Sequence, residues 1–262
     1  MRIWLEGCAH DLGRSAEKRS PSMKMPQSSA AMFLCLVALC LLGIGLLAQS
    51  QQSQSAQTHD QSADQHGKHA AHMEHRFDDA ERWAKSFDDP ARDAWQLPDR
   101  VVDALAIRSG QIVADVGAGT GYFTVRLARA AALKVFAVDI EPSMVAYVRK
   151  RAAREGIKNV VAVQATSDRT NLPEPVDLVL IVDTYHHIPR RVAYFTELRK
   201  LLKPSGRVAI VDFRKGAPEG PPEEFRFTPE QISEELGKAG FVLQKQLDFL
   251  PRQNFLVYQT RN

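Results

Sequence analysis

The residues with the most chemical potential stand where apolar runs end. Ile112-Val113-Ala114 leads into Asp115-Val116 and then into glycines at Gly117, Gly119 and Gly121, with Tyr122 directly behind. Phe123, Val125, Leu127 and Ala128 follow, mostly on one helical face, so this stretch predicts a strand, a tight turn and a helix N-terminus. Glycine suits the turn because a Cβ would block close approach and because the turn needs positive φ. The helix start adds unpaired N–H donors and the positive end of a dipole. Asp139 closes a second run, KVFAVD. In an open α/β sheet ligands bind beyond the carboxyl ends of strands, and an ionised carboxylate there accepts from both hydroxyls of a ribose. Each such charge-assisted bond is worth about 1.5–3 kcal/mol. Glu141 and Ser143, rather than Asp139, are placed to cap the helix that follows. Asp168 lies in the polar loop TSDRTNLP, where a plain turn role is the simpler alternative. DTYHHIP, from Asp183 to Pro189, closes a third run and carries Tyr185, His186 and His187. Histidine titrates near neutrality and suits a general base, but two adjacent histidines with no third ligand make a weak metal signal.

Glycine spacing separates two cofactor classes. A dinucleotide turn carries G-x-G-x-x-G, so that a pyrophosphate rests on the helix N-terminus. Here the run is D-x-G-x-G-x-G, and Tyr122 occupies the place of the last dinucleotide glycine. Asp115 would repel a pyrophosphate and suits a ligand with an ammonium group. On these residues the stretch resembles the first motif of the class I S-adenosylmethionine-dependent methyltransferases, and the resemblance covers roughly Val101 to the end. It implies a cofactor site at Asp115, Gly117, Gly119, Gly121, Tyr122 and Asp183. It puts Asp139 on the ribose and Ile140 beside the adenine. Asp168 then accepts from the adenine amino group, although Ser167 stands where the family carries glycine. The loop that begins at Asp183 is similar to the HH(I/L) loop of small-molecule methyltransferases and faces the reacting methyl.

Methyl transfer from a sulfonium is an in-line displacement, in which positioning supplies about 7–11 kcal/mol. The resemblance therefore implies that Tyr185 or Tyr122 lies against the sulfonium, a cation–π contact worth about 0.5–2 kcal/mol. His186 or His187 would take the acceptor's proton. The alternative is that one histidine packs and the other holds backbone, since an ionised nucleophile needs no base.

Elements that position these residues alternate regularly. Strands are expected at Lys134–Asp139, Val160–Gln164, Asp177–Asp183 and Arg207–Asp212, with helices at Pro142–Arg154 and Arg191–Leu202 between them. Pro204-Ser205-Gly206 reads as the stop of the second helix. Thr228 caps a helix over Pro229–Lys238, and Phe241–Phe249 and Asn254–Gln259 read as antiparallel neighbours. The fold class is therefore α/β, a seven-stranded, mostly parallel, doubly wound sheet with a C-terminal antiparallel hairpin.

Five segments make up the 262 residues. Residues 1–22 are a polar extension, and Met23-Lys24 is where an export signal would begin. Residues 23–50 hold the uncharged run Ala30–Ala48, about 28 Å long as a helix, which fits both a cleaved signal peptide and an uncleaved anchor. Basic residues precede this run, so the domain should face out of the cytoplasm, and a membrane enters only through the leader. Residues 51–76 are a Gln-, Ser- and His-rich linker in which His66, His69, His72 and His75 recur every third position. A weak metal tract and solvated linker histidines both fit. Cys8, Cys35 and Cys40 all precede the linker, so residues beyond it offer no thiolate. Residues 77–106 form a helical cap, broken at Pro90, whose aromatics pack or cover a substrate. Residues 107–262 are the methyltransferase-like domain, with the loop Phe213–Phe227 as a further lid.

A net charge of +3 is too weak to argue for nucleic acid, and the acceptor is expected to be a small molecule. Two other classes stay open: a nicotinamide-dependent oxidoreductase, which Tyr122 opposes, and a non-catalytic exported protein that binds metal through its histidine tract.

Overall fold

The computed structural model describes residues 77–261, and their backbone builds one sheet of seven strands. Strands β1 (Ile112–Val116), β2 (Lys134–Asp139), β3 (Val160–Gln164), β4 (Val176–Val182) and β5 (Leu202–Phe213) run parallel. Strands β6 (Phe241–Leu247) and β7 (Gln253–Thr260) form the closing hairpin, with β7 antiparallel to both β5 and β6. Their order is β3-β2-β1-β4-β5-β7-β6, the expected fold class. Three short helices precede the sheet: α1 (Ala80–Phe87), α2 (Asp93–Gln96) and α3 (Pro98–Ala104). Helices α4 (Thr124–Arg129), α5 (Pro142–Arg154), α6 (Arg191–Arg199) and α7 (Pro229–Lys238) connect the strands.

Continuous apolar runs become central strands because both faces are covered. Every residue of β1 is buried, and so is every residue of β4 except Asp177. On one face Val116, Ile181 and Ile210 pack under Tyr185, Phe195 and Leu198, with Ile232 and Leu236 of α7. On the other, Val113, Leu178 and Leu180 pack under Val101, Leu105, Phe123 and Leu127. Chain order reverses between β1 and β4, whose Val116 and Ile181 are partners. The loops after these two strands therefore emerge side by side at a switch point, where such sheets bind ligands.

Local chemistry sets the ends. Thr228 makes a capping box with Gln231 ahead of Pro229, as the sequence leads one to expect. Asp79 accepts from the Arg82 N–H at 3.0 Å and starts α1. Pro90 ends α1 by opening a 3-10 turn, Pro90–Arg92, rather than a plain break. Several boundaries differ from expectation, among them the end of β6 at Leu247 rather than Phe249. Helix α6 stops at Arg199, and Pro204-Ser205-Gly206 lies inside β5, whose first part pairs Leu202 with Val176. A register shift between Val176 and Leu178, together with a left-handed Ser205, absorbs the proline. Strand β4 ends at Val182, because Asp183 turns at a φ of 50°.

The extension, the export leader, the histidine-bearing linker and all three cysteines lie outside the described residues. No described helix is long and apolar enough to cross a membrane.

Candidate active site

The glycine turn hangs on the end of β2. The N–H groups of Gly117 and Ala118 donate to the Val138 carbonyl at 2.8 and 3.0 Å, and Gly119 N–H donates to Asp139 Oδ2 at 2.8 Å. Gly117, Gly119 and Gly121 all have positive φ. The strictest is Gly117, where a Cβ would come within 2.1 Å of Thr184 Oγ1, so the loop after β4 lies directly on the turn. A Cβ on Gly119 would meet the Phe87 ring of α1 at 3.3 Å.

Asp139 sits where the sequence places it, at the carboxyl end of β2, with Ile140 beside it 55% exposed. One expectation is corrected. Asp139 itself holds the start of α5, accepting from Glu141 N–H at 2.9 Å through Oδ1, while Ser143 bonds the Phe77 carbonyl and Glu141 makes no side-chain cap. Each oxygen of Asp139 therefore spends one lone pair on backbone and keeps one. Burial raises its pKa above the ordinary carboxylate value, although backbone N–H groups, those of Glu141 and Gly119 foremost, oppose this.

Asp115 does not face an open site. It is 2% exposed and accepts from Thr124 Oγ1 at 2.6 Å, fastening the first turn of α4. Burial pushes its carboxyl up to about 6, against the Thr124 hydrogen bond and helped by the charge of Asp139. Asp168 is exposed and accepts from Thr166 Oγ1 at 2.9 Å within a local turn.

The two tyrosines expected against a sulfonium are both engaged elsewhere. Tyr185 is fully buried on the α6–α7 face, donating to Glu235, which also pairs with Arg191 at 2.5 Å. The Tyr122 ring lies between two guanidiniums, Arg92 at 4.4 Å and Arg126 at 4.2 Å, and its hydroxyl donates to Asp93. Successive side chains in the 3-10 turn Tyr185–His187 point about 120° apart, which explains the first case, and the cap explains the second.

His186 is the residue this turn delivers to a polar partner. Its Nδ1 lies 2.8 and 3.0 Å from the two oxygens of Asp212, which also accepts from His186 N–H at 3.1 Å and Phe213 N–H at 2.7 Å. Burial lowers the His186 pKa, but the Asp212 charge and hydrogen bond outweigh it, and the net direction is up. His187 is exposed, with its ring 4.2 Å from His186 and 6.0 Å from Phe77. Asp212 is a site residue that sequence reasoning passed over. Its signal was present, since it too ends an apolar strand, RVAIVD.

The cap closes onto these loops. Asp183 accepts from Arg92 at 3.1 Å, from Gln96 at 3.2 Å and from Gln253 at 2.5 Å. Arg92 also donates to Gln96 and, at 2.9 Å, to the Phe87 carbonyl. Phe77, Trp83 and Phe87 stack on one another above the turn, and Trp95 packs 5.6 Å from Phe213. Arg92, Gln96 and Gln253 were not visible as partners in the sequence. Among the described residues no three His, Cys, Asp or Glu side chains converge as a metal site.

Residues 113–206 match a family model described as a methyltransferase domain. The chain is similar to 27-O-demethylrifamycin SV methyltransferase of Amycolatopsis mediterranei, 30% identical over 121 residues that make up 45% of this chain and 44% of that protein. It is similar also to demethylmenaquinone methyltransferase of Tropheryma whipplei, 29% identical over 155 residues, 56% of this chain and 62% of that protein. It thus spans less than two thirds of these curated relatives. A solved SAM-dependent methyltransferase from Aquifex aeolicus is 25% identical, with a TM-score of 0.64 over 70% of this chain and 98% of that one.

Proposed function

We propose that this chain, whose domain is that of the class I S-adenosylmethionine-dependent methyltransferases, methylates a small molecule through a hydroxyl that must shed its proton. The observation that carries the acceptor chemistry is His186, held through Nδ1 by Asp212 beside the glycine turn. A carboxylate on Nδ1 fixes the tautomer that leaves Nε2 as the base, and it stabilises the imidazolium formed when the proton arrives. General-base help of this kind is worth about 10²–10⁴ in rate.

The residues fit the cofactor. A turn of three positive-φ glycines keeps side chains away from it, Asp139 has one lone pair free on each oxygen for two ribose hydroxyls, and exposed Ile140 offers an apolar surface to a base. Asp168, outward on its turn, is the acceptor for an adenine amino group. When bound, S-adenosylmethionine supplies an electrophilic methyl on a sulfonium. Around it the chain's own work is to hold the nucleoside, to align the acceptor beneath the Trp83, Phe87 and Trp95 aromatics, and to receive the acceptor's proton at His186. The uncharged run Ala30–Ala48 supports a domain outside the cytoplasm, and a reporter fused after Gln49 that works only in the cytosol would reject this placement.

A labelled methyl donor offered with panels of phenols, alcohols, amines and thiols tests the reading. Label is expected on a hydroxylated acceptor, and to be lost with Asp212→Asn. Equal transfer by both proteins would refute the role given to His186.

A further inference from the structure

At the opposite edge of the sheet from the glycine turn, the amino ends of β1 and β5 enclose a second cleft of about 320 Å³. Arg108, Arg207, Gln244 and Gln259 line it with amide and guanidinium groups, and no carboxylate does. Its walls include Ala106 and Ser205, both non-glycine residues with φ of 48° and 65°. Such conformations are strained for residues with a Cβ, and they persist where the surroundings fix them. Arg207 is half-buried and clamped, its Nη2 donating to the Leu105 carbonyl at 2.8 Å. Both guanidiniums line the same hollow, and burial together with the neighbouring charge of Arg108 lowers the Arg207 pKa. Asp177 feels the charge of Arg108, and its Oδ2 is already taken by Lys203 at 2.7 Å and by Ile112 N–H at 2.8 Å.

Two like charges held together over a lined hollow, with the local acid committed elsewhere, create a preference for an anion. The planar fork of arginine matches the oxygens of phosphate. A hollow of this size admits a small molecule bearing one such group. We propose that this amino-edge cleft binds a phosphate group, with Arg108 and Arg207 as its cations and the amides of Gln111, Gln244 and Gln259 as neutral donors. This site is separate from the carboxyl-edge site and does not depend on the methyltransferase reading. A phosphate of this kind arrives either on a soluble phosphomonoester or on an anionic lipid headgroup.

The full chain is titrated calorimetrically with inorganic phosphate and pyrophosphate, and by co-sedimentation with vesicles of phosphatidic acid or of phosphatidylcholine alone. Arg108 is exposed, so Arg108→Gln should fold normally, and Gln244→Glu places a negative charge in the cleft without touching either arginine. Each variant should weaken binding at least about tenfold, the loss of one charge-assisted bond. S-adenosylhomocysteine affinity, read in parallel, should not change. Soluble phosphate binding that the variants abolish assigns a free phosphomonoester, and phosphatidic acid binding alone, abolished likewise, assigns a headgroup. No binding to either, or binding that both variants leave intact, overturns the proposal.

Discussion

Asp139 is the residue on which the proposed cofactor capture turns, and its removal has a calculable effect. Its carboxylate offers roughly four acceptor positions. Two are spent on the N–H groups of Gly119 and Glu141, at 2.8 and 2.9 Å, which leaves two for a ribose diol. At about 1.5–3 kcal/mol for each charged bond, Asp139→Ala should weaken S-adenosylhomocysteine by about 10²–10⁴ in Kd. The same change strands two part-buried backbone donors, so stability should fall by about 2–5 kcal/mol as well. Asparagine is no remedy here. Both carboxylate oxygens accept from N–H groups, so the amide of Asp139→Asn would have to turn its own NH2 toward one of them. Asp139→Asn should therefore bind no better than about tenfold above alanine. Acid gives an independent reading. Burial holds the Asp139 carboxyl above its ordinary value of 3.8, so the ionised form is lost early as pH falls, and affinity should fall with it. That decline should be absent from Asp139→Ala. Isothermal titration from pH 4 to 8, beside urea unfolding of each variant, supplies both measurements. A folded Asp139→Ala that binds within threefold of the parent, or an unchanged acid limb in it, would refute the reasoning.

Three further changes probe the neighbouring groups. In Asp212→Asn, burial and Arg191 act on His186 against the charge of Asp183 alone, so the acidic limb of kcat/KM should move below its parental position and the plateau should drop about 10²–10⁴-fold, while S-adenosylhomocysteine affinity stays constant; an unmoved limb would exclude His186 as the base. Arg92→Met leaves Asp183, 19% exposed, with only two amide donors and should cost about 2–3 kcal/mol in chemical denaturation, part of it recovered by adding Asp183→Asn; a cost below about 0.5 kcal/mol would mean the ion pair does not fasten the cap. Asp115, raised from 3.8 to about 6, binds its proton more tightly folded than unfolded, so its contribution to parental stability should decline by roughly 2 kcal/mol as pH rises from 4 to 6. In Asp115→Asn the decline should shrink by that amount, since the amide oxygen still accepts from Thr124, and thermal melts of parent and variant across this range decide it.

What the sequence disclosed was local, and what it withheld was distant. Apolar runs ending in Asp115, Asp139 and Asp183, and the glycines between them, are patterns over a few residues. They sufficed for the order of strands and helices and for the position of Asp139. Tyr185 and His186 differ by one residue, yet they diverge to Glu235 and Asp212, and nothing in the local text says which one turns toward the ligand side. Gln96 meets Gln253 across 157 positions, and Arg92 meets Asp183 across 91. Such pairs depend on how the cap docks, which periodicity does not encode. Ser205 shows the converse error. Pro204-Ser205-Gly206 has the chemistry of a helix stop, but the demand of Val176 for a strand partner prevailed.

Tyr122 joins two decisions that are usually independent. It stands where a dinucleotide turn needs a bare glycine, and its side chain is also the plate gripped by Arg92 and Arg126 and tethered to Asp93. Shaving that ring away to admit a pyrophosphate would at the same stroke unclasp the segment that roofs the crevice. Conversion of this scaffold to nicotinamide chemistry therefore has no single-step route: the choice of nucleoside is locked in by the hardware that shuts the door.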